Sequence, residues 1–167
     1  MKKITGFTLI ELVVTMVILG ILAATEAPKF INLQADANIA KVNALKGAVE
    51  SATNLVHMKA LIHGKADYTS SSNNDGIEIS DTEMVTLVLG YPEDSEYGIV
   101  AAMDLNITRT SIFDPDASPD NNEWYYYMYP GVGLMFSITP DPDLCGVLYQ
   151  PATTTRPPAI NIQTVDC

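Results

Sequence analysis

The sequence is poor in the residues on which most enzymes and nucleic-acid binders rely. Beyond Ala66 it holds only two basic residues, Arg109 and Arg156, against sixteen acidic ones, so residues 67–167 carry a net charge of −14. A surface of that sign repels phosphate backbones and excludes nucleic acid as a partner of this half. The same self-repulsion keeps it soluble. Histidine is limited to His57 and His63, whose spacing puts them on different faces of a helix with no nucleophile pattern beside them. There is no glycine-rich loop to cradle a phosphate. Only two cysteines occur, Cys145 and Cys167, and with both histidines far away in the chain they make a poor metal site. Whether they pair depends on the redox compartment. No catalytic constellation emerges, so the reading is of a protein that is not an enzyme.

What is present is apolar, and unevenly placed. The 167 residues are 47% hydrophobic with a mean hydropathy of +0.13, which fits one modest domain plus one long extra element. Lys2 and Lys3 precede Gly6, and then comes "FTLIELVVTMVILGILAA". Residues 7–27 contain only two charges, Glu11 and Glu26. As a helix this stretch measures about 31 Å, close to the hydrocarbon thickness of a bilayer. The two lysines favour a cytoplasmic N-terminus, with the remainder exported. An ordinary signal peptide fits less well. The small residue precedes the apolar run, "AATEA" at 23–27 is a poor cleavage site, and a carboxylate sits near the start of the run.

That carboxylate, Glu11, is the most informative residue. A charge at bilayer depth costs about 3 kcal/mol and is usually paired and functional. At the membrane edge it stays solvated at little cost; in a dry environment it needs a cation. A cut after Gly6 supplies one, the free amine of Phe7, which on one copy can meet Glu11 of a neighbour. Such a pair contributes register more than net stability.

Gly6 followed by "FTLIEL" resembles the prepilin cleavage motif of type IV pilins and type II secretion pseudopilins, and the likeness continues through "VVTMVILGILAATEAPKFINLQADA". "LKGAVESATNLVHMKALIHGKA" and "GYPEDSEYGIVAAM" are similar to the mannose-sensitive haemagglutinin class of type IV pilin. The likeness is strong up to about Ala66 and patchy beyond. It implies an α+β type IV pilin fold, a long N-terminal helix packed on a small antiparallel sheet. It implies that prepilin peptidase cleaves between Gly6 and Phe7 and methylates the Phe7 amine, and that Glu11 is the assembly carboxylate. It also implies that Gly20 and Pro28 bracket a stretch that loosens in a filament, in keeping with the low helix propensity of glycine and the missing donor of proline. Glu26 departs from the pattern, which expects a small or apolar residue there. The implied partners are further copies of the chain, prepilin peptidase and inner-membrane assembly machinery. The implied location is the inner membrane with a periplasmic head, then an extracellular pilus, with roles in adhesion, biofilm formation and motility. A minor pilin or a type II secretion pseudopilin is the alternative within the class. A singly anchored periplasmic binding protein for calcium or sugar is the alternative outside it.

The expected layout is a leader at 1–6, a membrane and filament-core helix at 7–27, an amphipathic helix at 28–64 and a head at 65–167. In the second helical stretch Leu33, Ala37, Ala40, Ala44, Ala48, Ala52, Leu55 and Ile62 form an apolar stripe, widened by Leu45, Val49 and Val56, and expected to face the head. Gly64 is the expected stop. In the head, 69–76 reads as a polar surface loop, 81–89 as a short helix capped by Ser80 or Asp81, "GYPEDSEYG" as a turn, and 99–105 as helix or strand. Residues 124–129, 132–138, 145–149 and 159–165 read as strands. The aromatic run at 124–129 suits a carbohydrate strip less well than a strand with its alternate members in the core and its outer members ordinary. For a periplasmic head, a Cys145–Cys167 disulfide stabilises by about 3 kcal/mol, and the resemblance to pilins implies this pairing. Asp114, Asp116, Asp120 and Glu123, with Asp141 and Asp143, supply the oxygen ligands calcium prefers. They lack the EF-hand pattern, and a solvated acidic loop outweighs a calcium site. Asn106 lies in an extended bacterial N-glycosylation pattern, a signal that chance matches often produce.

Overall fold

Local chemistry fixes both ends of the long helix. The computed structural model describes residues 7–73, 75–79, 84–103, 105, 107–109, 124–138, 145–165 and 167, with the side chains of 26–32, 108 and 109 left out. Helix α1 spans Leu9–Ile62. At its start Thr8 and Glu11 form a capping box. The Glu11 N–H donates to Thr8 Oγ1 at 3.4 Å, and Glu11 Oε2 accepts the Thr8 N–H at 2.9 Å and the Thr8 hydroxyl at 2.7 Å. The reciprocal bonds satisfy N–H groups that would otherwise lack partners. At its end Gly64 adopts φ +69°. The Lys65 N–H bonds to Ala60 O at 2.7 Å and the Gly64 N–H to Leu61 O at 3.1 Å. That is the glycine-terminated motif expected at this position. By its contacts the chain divides into two compact units, Met1–Ala37 and Asn38–Cys167.

Within the second unit, α1 buries Val42, Leu45, Val49, Thr53, Val56 and Ala60, spaced three or four apart. This corrects the expected stripe. Leu33, Ala37, Ala40, Ala44, Leu55 and Ile62 do not form it: Leu33, Ala40, Leu55 and Ile62 are exposed, and Ala48 and Ala52 are not fully buried, while the three residues thought to widen the stripe are its true centre. Both lines have helical period. The buried line wins because its valines and leucine remove more apolar area from water than the alanines of the other line do. Thr53 is tolerated among them because its hydroxyl donates to Val49 O at 2.7 Å.

Two sheets cover this face rather than the single antiparallel one expected. The first comprises β1 (Gly76–Glu78), β2 (Met84–Val88) and β3 (Tyr91–Pro92), all antiparallel in that order. The second comprises β4 (Ile107–Arg109), β5 (Trp124–Tyr129), β6 (Gly133–Ser137), β7 (Cys145–Gln150) and β8 (Ala159–Thr164), in chain order. β4 runs parallel to β5, and the other pairs are antiparallel. Strand β2 overturns the helix read at 81–89: its run of valine, threonine and leucine favours a strand, and partners on both sides supply the ladder. The suggested caps, Ser80 and Asp81, lie outside the described residues. Leu89 and Gly90, at φ 52° and 77°, form the two-residue turn between β2 and β3. Any Cβ at position 90 would strike the backbone of Ala66. Of the two readings open for 99–105, helix holds at its start: a wide turn spans Glu96–Val100 and Ala101 and Ala102 continue it.

The core has three parts. Val42, Leu45 and Val49 pack with Ile99, Met103, Tyr126, Phe136, Val147 and Tyr149. Val56 and Ala60 pack with Ile77, Val85 and Leu87. On the opposite face of the larger sheet, Tyr125, Tyr127 and Met135 form a separate buried cluster. The outer members of the aromatic run are thus not ordinary strand residues, and Tyr125, Tyr126 and Tyr127 offer no open strip to a sugar. The two sheets are joined by Tyr149, whose hydroxyl donates to Pro92 O at 2.6 Å. Burial, with the Asp94 charge adding, pushes the Tyr149 phenol upward. Asp94 itself is raised above its ordinary 3.8, chiefly by burial, with the Glu93 charge adding and a backbone hydrogen bond opposing.

The packing makes two predictions. Leu45→Ala lowers the unfolding free energy by about 2–5 kcal/mol, while the chemically identical Leu55→Ala changes it by less than about 0.5 kcal/mol; denaturant unfolding of the detergent-solubilised chain checks both. Because the folded carboxyl of Asp94 holds its proton more tightly than the unfolded one, its favourable contribution is present in acid and lost as pH rises through the raised value. Asp94→Asn therefore raises the melting temperature at pH 7 and leaves it unchanged near pH 3.

Candidate assembly site

The first unit has no core of its own among the described residues. Every large apolar side chain from Phe7 to Leu22 is at least 48% exposed, and these residues lie on all sides of α1. A helix apolar all round requires an apolar environment that its own chain does not supply here. Its polar groups are prepared for one. The Thr15 hydroxyl donates to Leu12 O at 2.8 Å and the Thr25 hydroxyl to Leu22 O at 2.9 Å, so neither enters an apolar phase unpaired. The Glu11 carboxylate is the remaining charge in this stretch. Its capping bonds hold it at the start of the helix, one turn from Phe7.

Among the described residues no helix is long and apolar enough to cross a membrane. The expected span, 7–27, ends in residues whose side chains are not described. Gly20 lies within α1 with open space where a side chain would project. Position 28 also falls inside the bounds of α1, while the Pro28 side chain lies outside the described residues. So do the Glu26 side chain and the other member of the cleavage site, Gly6.

At the far end of the chain Cys145 and Cys167 form a disulfide, with Cα atoms 5.0 Å apart. Cys145 is buried in β7, paired across the ladder with Thr164 of β8. The Cys167 carbonyl then accepts a hydrogen bond of 2.6 Å from Asn38 Nδ2, which ties the C-terminal segment to α1 at the start of the second unit. Sequence reasoning missed this partner, and a lone asparagine gives no pattern by which to find it. It also missed Thr8, although Thr8-x-x-Glu11 is a legible capping signature.

The remaining candidates lie apart from this site. Asp114, Asp116, Asp120, Glu123, Asp141, Asp143 and Asn106 fall outside the described residues. Among the described residues no group of three or more histidine, cysteine or acidic side chains is placed to hold a metal. His57 stacks on Tyr91, ring centroids 3.8 Å apart, and its Nδ1 lies 2.9 Å from Gly90 O, a structural placement beneath the β2–β3 turn.

The disulfide makes a direct prediction. Replacing both Cys145 and Cys167 with serine lowers stability by about 3 kcal/mol through the restored freedom of the unfolded chain. It also leaves residues beyond β8 open to proteolysis, as mass mapping of protease fragments reads out.

Comparison with known proteins gives one family model and one relative. Residues 1–25 match the family model described as the prokaryotic N-terminal methylation motif. The type IV narrow pilus major component PilA5 of Thermus thermophilus is 47% identical over 55 residues, which is 33% of this chain and 47% of that protein. The aligned stretch thus spans about half the length of that relative. No solved structure matches. Motif, aligned relative and α+β head agree with the resemblance read from the sequence: the chain is type IV pilin-like and carries the prokaryotic N-terminal methylation motif.

Proposed function

We propose that this chain is the precursor of a structural pilin subunit that polymerises into a surface filament. The observation that carries the reading is the stretch from Phe7 to Leu22, helical from Leu9, apolar on all sides, with its large apolar side chains exposed, and holding one carboxylate. In this reading the helix waits in the inner membrane and then enters a bundle of identical helices, exchanging one apolar surrounding for another. Prepilin peptidase cuts between Gly6 and Phe7 and methylates the new amine. That amine, on an incoming or neighbouring copy, neutralises Glu11 in the dry bundle, where an unpaired carboxylate is costly. Gly20 and Pro28 mark the stretch of α1 that loosens during this exchange. The head stays on the outside, where its acidic surface keeps filaments soluble and apart. Adhesion to surfaces, biofilm formation and motility are the roles such a filament serves, and the chain itself performs no catalysis.

The test separates charge from capping. Glu11→Ala strains extrude no filament, or less than about a tenth of the normal amount, by electron microscopy of sheared material. Thr8→Ala, which removes the cap at a cost of about 1 kcal/mol but keeps the carboxylate, still makes filaments. Mass spectrometry of the mature subunit finds a chain beginning at methylated Phe7. Normal fibres from Glu11→Ala, or a mature chain that keeps Met1, would overturn the reading.

A further inference from the structure

One arginine of the head stands without an acid. Arg156 is exposed, and its guanidinium has no carboxylate partner among the described residues. It is one of two basic residues beyond Ala66, against sixteen acidic ones. An arginine fork left open keeps two parallel donors for an anion from outside the chain.

Around it lies a groove of about 810 Å³ beside α1, within the range of small-ligand sites, about 300–1,000 Å³. Part of its lining is a tight turn. The Thr153 N–H donates to Arg156 O at 2.9 Å and the Arg156 N–H to Thr153 O at 3.2 Å, and Pro157 follows with its fixed φ. The turn thus offers the hydroxyls of Thr153, Thr154 and Thr155 from a bonded backbone, the first and third 3.3 Å apart. Another part is apolar: the stacked rings of His57 and Tyr91, with Leu61 and Leu89. Asp67 also lines the groove.

The ligand class follows from this lining. Arg156 selects a carboxylate. Three threonine hydroxyls and the acceptor oxygens of Asp67 match a ligand with several hydroxyl groups. The rings and leucines match a face of C–H groups. A pyranose that bears a carboxylate, a uronic acid, combines all three. A neutral sugar leaves Arg156 unused, and a fatty acid covers the hydroxyls and Asp67 without giving them partners. Asp67 limits the charge, because it repels a second anion in the same groove. A polyuronate also meets the net −14 of residues 67–167, which opposes any extended polyanion. The acid therefore stands alone, at the end of an otherwise neutral glycan.

We propose that this groove binds the terminal uronic acid of a neutral glycan chain. The carboxylate sits on the Arg156 fork, the hydroxyls on the threonine turn and Asp67, and the C–H face against Tyr91 and Leu61. The groove is separate from the aromatic run of β5, whose Tyr125, Tyr126 and Tyr127 are buried. It belongs to a single head and does not depend on polymerisation.

The test titrates the detergent-solubilised full chain with a neutral trisaccharide capped by glucuronic acid, followed by saturation-transfer NMR. The expected dissociation constant is about 1 mM, at least tenfold tighter than for the methyl ester of the same probe, for acetate or for phenylpropionate. Polyglucuronate binds more weakly per acid. Arg156→Gln weakens the capped trisaccharide at least tenfold and Thr154→Val at least threefold, while the Cys145–Cys167 disulfide forms and thermal unfolding is unchanged. A diazirine copy of the probe labels the unaltered chain within residues 57–67, 89–91 or 152–157. No saturable binding, labelling elsewhere, or full affinity in Arg156→Gln overturns the proposal. So does an equally tight ester, acetate, phenylpropionate or polyglucuronate, which would show a neutral-sugar site, a bare arginine contact, an apolar-acid site or a polyanion site respectively. Because binding is read on the solubilised chain, a failure to form filaments removes the polymerisation reading and leaves this result untouched.

Discussion

The burial of one face of α1 under two sheets is the constraint on which the rest of the head depends. Val42, Leu45 and Val49 meet the larger sheet and Val56 and Ala60 the smaller one, so a single helix supplies the common floor of both. One link that joins the sheets directly is the hydrogen bond from Tyr149 to Pro92 O, made inside the region the helix has already dried. Because a buried phenol without a partner costs far more than an exposed one, this bond also holds β7 in place against β3. Helix, small sheet and large sheet thus share one body, in which the short strands of the small sheet take their apolar cover from α1.

Within that body the polar groups are placed to match. Thr53 folds its hydroxyl back on Val49 O. The Thr86 hydroxyl donates to Glu93 Oε2 at 2.8 Å, and that same oxygen accepts from Ser95 at 2.9 Å. These bonds let a threonine sit buried in the centre of β2. The N-terminal part follows a different rule. Its hydroxyls are satisfied within the helix, while its large apolar side chains from Phe7 to Leu22 stay at least 48% exposed.

Much of this was legible in the sequence, and the failures have physical causes. The stop at Gly64 follows from the special backbone conformation of glycine, and β5 to β8 follow from β-branched and aromatic runs separated by turn residues. The disulfide was implied by the resemblance and is present. The stripe on α1 was misread because two lines share the helical period, and periodicity does not say which one meets the head. Residue size does, and the alanine line was the wrong choice. At 81–89 an acidic residue ahead of an apolar run imitated a helix start, but Met84–Val88 has neighbours on both sides to pair with. The parallel pairing of β4 with β5 joins positions 107 and 124, a non-local contact that no short pattern encodes. Burial of Tyr125 and Tyr127 likewise depends on what covers the sheet, not on the strand.

The capping box at the head of α1 has a further consequence. Both bonds from Thr8 end on the same oxygen, Oε2, and among the described residues Oε1 of Glu11 takes none. A carboxylate has lone pairs to spare on the second atom, so receiving a cation there does not require unwinding the first turn. In the proposed polymer, capping and charge neutralisation are therefore additive duties of one side chain, and each copy meets its neighbour with its leading turn already wound.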